Sequence, residues 1–350
     1  MPSHIDTALA FLEGNSSDLR DAHRAYRVLM RHSHLTDYFQ GGKQVLVREL
    51  RNGPKQYPRV PYIGMTTLQE QAYCEWYCTH LYEGAGEVVE LGTFLGSLTK
   101  SMVNGLRANP RSAARERKVR VYDLFWWDFI MEGCVKGTAY EGMCKEGDWF
   151  VEDYRRSIGA WIDRTDVQQA DLTKFAYDQK PVEFLMVDVM KYEKLCVNVL
   201  RQFFPALLPG EGILFHQDYL HFYEAWVHVI QFLLRDYFEP VTPIDGSGAF
   251  VFRCLKEVPA DLCTLRAPLK DSWSDVLVEE AFAWSKGIVG EENQAVVTAA
   301  HVMMYAHLER WELAEGIYRK FGGLFPDSPA MAELRAYFEH RFHRILPDVE

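Results

Sequence analysis

The chain has 350 residues, 48% hydrophobic and 25% charged, an ordinary globular balance at a length suited to about two domains. Its 38 Lys and Arg face 49 Asp and Glu, a net charge of −11; such an acidic surface repels phosphate backbones and argues against nucleic acid as a partner. No apolar run approaches the roughly 18 residues of a membrane span, and a modest cysteine count with no apolar secretory segment at Met1 leads us to expect the reducing cytoplasm.

Residues 1–60 read as a polar, helix-prone extension or lid. Thr66 and Thr67 are N-cap candidates for a helix to about Leu81, ended by Gly84 and Gly86. Glu87–Leu91 reads as a buried strand running into Gly92-Thr-Phe-Leu-Gly96-Ser97, and Leu98, Met102, Val103 and Leu106 mark one face of the next helix. A basic loop covers 108–118. Val119–Asp123 is a second strand, 148–164 a helix, and Val167–Asp171 a short third strand. Val182–Asp188 is a strong fourth strand, followed by a helix over about 195–204. Ile213–Phe215 opens a fifth strand, 222–237 is helical, and Phe238–Ile244 with Ala249–Cys254 forms a closing hairpin. Alternating strands and helices predict an α/β, doubly wound, mostly parallel sheet with a terminal antiparallel hairpin over 61–257. Residues 270–350 carry helical periodicity and one tetratricopeptide-like hairpin around Tyr305–Pro326. A single copy cannot build a solenoid, so this region is expected to cap the site or support a homo-oligomer.

The chemistry concentrates at the expected carboxyl ends of the strands, where ligands bind in an open parallel sheet. Glu90-Leu-Gly92-Thr-Phe-Leu-Gly96-Ser97 places glycines and a helix N-terminus there. Asp123 ends the second strand, where an acid accepts ribose hydroxyls. No phosphate-binding loop with Lys occurs. At the fifth strand, Phe215-His216-Gln217-Asp218-Tyr-Leu-His221 brings two imidazoles and a carboxylate together, and histidine takes a hydroxyl proton near neutral pH. Cys74 and Cys78 lack a second pair and do not suggest zinc.

These residues together resemble class I S-adenosylmethionine-dependent methyltransferases. By that resemblance Glu90, Gly92, Gly96 and Ser97 line the methionine and nucleoside side, Asp123 holds the ribose and Asp171 approaches the adenine. Pro61-Tyr-Ile-Gly-Met65, Gly86–Gly92, Phe184-Leu-Met-Val-Asp188, Leu208-Pro-Gly-Glu-Gly212 and Gln217-Asp218-Tyr219 resemble, in order and spacing, the macrocin O-methyltransferase family, which methylates sugar hydroxyls of natural products with a divalent metal. That family carries Asp-Gly-Asp and Asp-Asp-Tyr where this chain has Asp188-Val-Met190 and Gln217-Asp218-Tyr219. Asp188 and Asp218 remain as ligands for Mg²⁺, with the Gln217 amide oxygen in support. The resemblance thus implies an O-methyltransferase using S-adenosylmethionine, and Mg²⁺ if the reduced acid set suffices. Asp188 and Asp218 would orient metal or acceptor, and His221 or His216 would take the proton from a small-molecule hydroxyl. Two rivals stand beside it. A nicotinamide-dependent oxidoreductase lacks its tight glycine fingerprint here, and an inactive interaction or regulatory module would not need Glu90, Gly92, Gly96 and Asp123.

Overall fold

The structure is a computed structural model that describes residues 62–346 together with Ala22. Apart from Ala22, the expected extension over 1–60 lies outside the described residues. Helix α1 (Leu68–His80) starts at Thr67 in a capping box: its hydroxyl accepts the Glu70 N–H at 3.2 Å and the Glu70 carboxylate accepts the Thr67 N–H at 2.6 Å. Strand β1 (Glu87–Leu91) follows a turn held from below by Glu183, whose buried carboxylate accepts the N–H groups of Ala85 at 2.7 Å and Gly86 at 3.2 Å.

The chain continues through α2 (Ser97–Ala108), α3 (Ser112–Glu116), β2 (Val119–Asp123), α4 (Phe129–Val135), α5 (Val151–Ile158) and β3 (Thr165–Gln169). It then runs through β4 (Val182–Val187), α6 (Glu193–Phe203), β5 (Ile213–His216), α7 (Trp226–Leu233), β6 (Phe238–Pro243) and β7 (Phe250–Cys254). The sheet order among the described residues is β3-β2-β1-β4-β5-β7-β6. Strands β1 to β5 pair in parallel, and β7 runs antiparallel to both β5 and β6. This is the doubly wound, mostly parallel α/β sheet with a terminal hairpin that the sequence predicts. Strand order reverses between β1 and β4, so the crevice at their carboxyl ends is the place for a ligand.

Apolar residues cover both faces. On one, Phe184 of β4 stacks on Tyr77 of α1 at 4.7 Å, while Tyr73 stacks on Phe215 of β5 at 5.4 Å. On the other, Leu185, Val187 and Leu214 pack with Val199 of α6 and Ile230 of α7. Burying each such side chain contributes about 1.5–3 kcal/mol. That second core continues into α8 (Leu269–Ser272), α9 (Asp275–Ile288), α10 (Gln294–His307), α11 (Trp311–Phe321) and α12 (Pro329–Phe342). Tyr219 and His228 both reach Ser285 of α9 at 3.1 Å, and Tyr337 of α12 packs edge-on against Phe222 and Tyr223. The C-terminal helices therefore lie against the segment that follows β5.

Some boundaries differ from the sequence reading. The third strand spans 165–169, leaving Asp171 beyond its end. The helix expected over 148–164 is α5 followed by a 3-10 turn from Gly159, whose φ of +55° breaks the α geometry. The basic stretch over 108–118 is not a plain loop: it holds α3, Arg115 donates to the carbonyls of Asn109 and Pro110 at 2.8 and 2.7 Å, and Arg117 to that of Gly84 at 2.9 Å.

Candidate active site

On the glycine-turn side, Gly92 has φ +82°, and a β-carbon there would lie 2.8 Å from the Asp188 carbonyl oxygen. The turn is thus seated on the backbone at the end of β4. Asp123 organises it: one carboxylate oxygen accepts the N–H of Thr93 at 2.7 Å and of Phe94 at 3.4 Å, and the other accepts the N–H of Phe125 at 2.6 Å. Phe94 and Phe125 both have positive φ, +47° and +55°, at roughly 1 kcal/mol or more each for a side chain of that size. Burial raises the Asp123 carboxyl above the usual carboxylate range, against the three N–H donors.

Glu90 does not face outward. It is buried, takes a hydrogen bond from the Thr99 hydroxyl, and burial pushes its pKa up to about 8. Gly96, at φ +75°, is covered by Ile158 and Tyr154 of α5. Ser97 is buried and its hydroxyl meets that of Thr66 at 2.7 Å. Asp171 closes a local turn instead, accepting the Thr173 N–H at 3.0 Å and pairing with Lys174 at 3.0 Å. Trp127 is packed on Phe94 and Phe150, whereas Trp126 is 42% exposed against Trp149.

At the ends of β4 and β5 the structure brings Asp188 and Asp218 together and adds two residues that sequence reasoning missed. Asp188, Asp218 and Glu224 each present a carboxylate oxygen, all within 4.8 Å of one another. The Lys191 ammonium sits among them, 2.6 Å from Asp188 Oδ1, 2.8 Å from Glu224 Oε1 and bonded to Asp218 Oδ2. Glu224 is buried, but the Lys191 side chain is 37% exposed, so the cluster opens to solvent. Burial works to raise Asp218, yet the Lys191 ammonium outweighs it and holds the carboxyl at about 2. Burial pushes Glu224 up to about 7 despite the same ammonium. Asp188 is driven up by burial as well.

A divalent ion does not fit this set as it stands. Three carboxylates suit Mg²⁺ in number, but their shared centre is filled by Lys191 Nζ. Met190, at the position of the missing second acid, is buried. Gln217 is buried with its amide oxygen unpartnered.

The two histidines separate cleanly. His216 points into the core among Phe204, Tyr219 and Phe252, withdrawn from solvent, and burial lowers its pKa to about 3. His221 is exposed, and the Asp218 carboxylate acts on it electrostatically against a lowering by partial burial.

No family model matches the chain, and no curated protein matches it. Among solved structures it is similar to apo CalS11, a TDP-rhamnose 3'-O-methyltransferase of calicheamicin biosynthesis, at 14% identity over 68% of this chain and 96% of that one, with a TM-score of 0.38. It is also similar to coclaurine N-methyltransferase bound to N-methylheliamine and SAH, at 13% identity over 89% and 87% of the two chains, with a TM-score of 0.26. The fold assignment rests on the chain's own strand order.

Proposed function

We propose that this chain is an S-adenosylmethionine-dependent methyltransferase acting on a hydroxyl of a small molecule, with a sugar or glycosylated natural product as the acceptor class. The observation that carries the reading is the apposition of two groups at the switch point. The Asp123-held glycine turn after β1 rests on Asp188, and Asp188 belongs to the acid–lysine cluster beside exposed His221. Two non-glycine residues in left-handed backbone, both bonded to one half-buried carboxylate, are the kind of strain that functional turns retain.

S-adenosylmethionine supplies, when bound, a methyl group on a sulfonium that is already activated for departure. The chain's contribution is then positioning and exclusion of water. Asp123 has accepted three N–H donors and keeps lone-pair capacity for a ribose hydroxyl. Lys191 and its carboxylates offer donors and acceptors to an acceptor hydroxyl at the open side of the cluster. His221 is the exposed base in reach of that region and takes the hydroxyl proton. Methyl transfer from labelled S-adenosylmethionine to a panel of hydroxylated acceptors tests this. Labelled ether product, reduced in His221→Asn with donor affinity unchanged, supports the reading. No product across the panel, together with no donor binding, overturns it.

A further inference from the structure

We propose that the Lys191 ammonium is a built-in counter-ion that occupies the cation position framed by Asp188, Asp218 and Glu224, so that this mouth works without a divalent metal. The inference deepens the reading above, yet it is read out by metal binding, so either can fail alone.

The geometry carries it. An ammonium offers donors and no acceptor; here Nζ donates hydrogen bonds to Asp188 Oδ1 at 2.6 Å and to Asp218 Oδ2, and stands 2.8 Å from Glu224 Oε1 as an ion pair without hydrogen-bond geometry. A Mg²⁺ or Ca²⁺ ion would stand about 2.0–2.6 Å from those oxygens, which is the volume Nζ already fills. Two cations cannot share it, so a metal would have to expel Lys191 and break all three ion pairs. The lysine is tethered three residues from Asp188, which keeps its effective concentration high, whereas a free ion must be drawn from solution. Met190 points the same way: a buried thioether stands between Asp188 and Lys191 in sequence and supplies no oxygen to a hard cation. Glu224 completes the set from the segment before α7, and its near-complete burial leaves Lys191 as its ion partner.

Calorimetric and electron-paramagnetic titration with Mn²⁺ tests the proposal, on wild type, Lys191→Met and Lys191→Met/Glu224→Gln. The wild type is expected to show no saturable Mn²⁺ site tighter than about millimolar. Lys191→Met keeps an unbranched side chain one atom shorter and removes the ammonium, and should gain a saturable site roughly a hundredfold tighter. The double variant should lose most of that gain. Micromolar Mn²⁺ binding by the wild type, or no gain in a folded Lys191→Met, would overturn the proposal. If Lys191→Met does not fold, the wild-type titration decides alone: a micromolar site refutes the proposal and its absence supports it.

Discussion

Glu90→Gln gives the sharpest test of how the glycine turn is built. Glu90 is 1% exposed, and burial shifts its carboxyl from an ordinary 4.5 to about 8, against the Thr99 and Thr93 hydroxyls. Folded protein therefore holds a proton that the unfolded chain has released between those two values. Stability from this group is fully present below pH 4.5 and is lost as pH rises towards 8. At about 1.4 kcal/mol per unit, the whole shift corresponds to roughly 3–5 kcal/mol. Glutamine keeps the shape and abolishes the titration. Urea unfolding at pH 5, 6, 7 and 8 should give a variant whose stability, relative to wild type, rises by about 1 kcal/mol per pH unit. The difference in slope is the diagnostic, because the new amide changes the absolute value by its own hydrogen bonding. Parallel curves for the two proteins would refute a buried, protonated Glu90.

Three further outcomes follow from named contacts. Asp123→Ala removes the acceptor of three N–H groups and should cost about 2–4 kcal/mol in urea unfolding as well as donor affinity; a variant as stable as wild type would contradict the holding role. His228 is wholly buried, 3.1 Å from the Ser285 hydroxyl, with its pKa lowered to about 3 by burial. Its neutral form is favoured in the fold, so stability falls as pH drops below about 6.5, by about 1.4 kcal/mol per unit from this residue, and His228→Phe should flatten that acid limb. Buried Asn109 donates to the carbonyls of Cys78 and Tyr82 at 2.7 and 2.8 Å and accepts the Arg111 N–H at 2.8 Å. Asn109→Ala should lower stability by about 2–4 kcal/mol, seen in the urea midpoint.

The sheet was legible because its strands are buried runs whose pattern is local. Glu87–Leu91, Val119–Asp123 and the closing hairpin fall where periodicity puts them. The third strand was legible only in part, two residues late at Val167–Asp171, because Thr165–Gln169 is polar at the sheet edge and carries little apolar signal. Asp123, Asp188 and Asp218 were legible from their positions at strand ends. What a sequence could not show was direction. Glu90 and His216 alternate into the interior, and His221 does not. Lys191 and Glu224 are likewise invisible by spacing alone, since a lysine three residues past a strand reads as solvated. Only the folded turn after β4 and the segment before α7 bring their charges together.

The most direct test of the account is calorimetric titration of wild type with S-adenosylhomocysteine, with and without Mg²⁺. The expected result is binding on the order of −8 kcal/mol, in the micromolar range, unchanged by Mg²⁺ because Lys191 fills the cation position. Binding that appears only with Mg²⁺ would contradict the counter-ion role while leaving the donor pocket standing. No binding in either condition would contradict the methyltransferase reading itself.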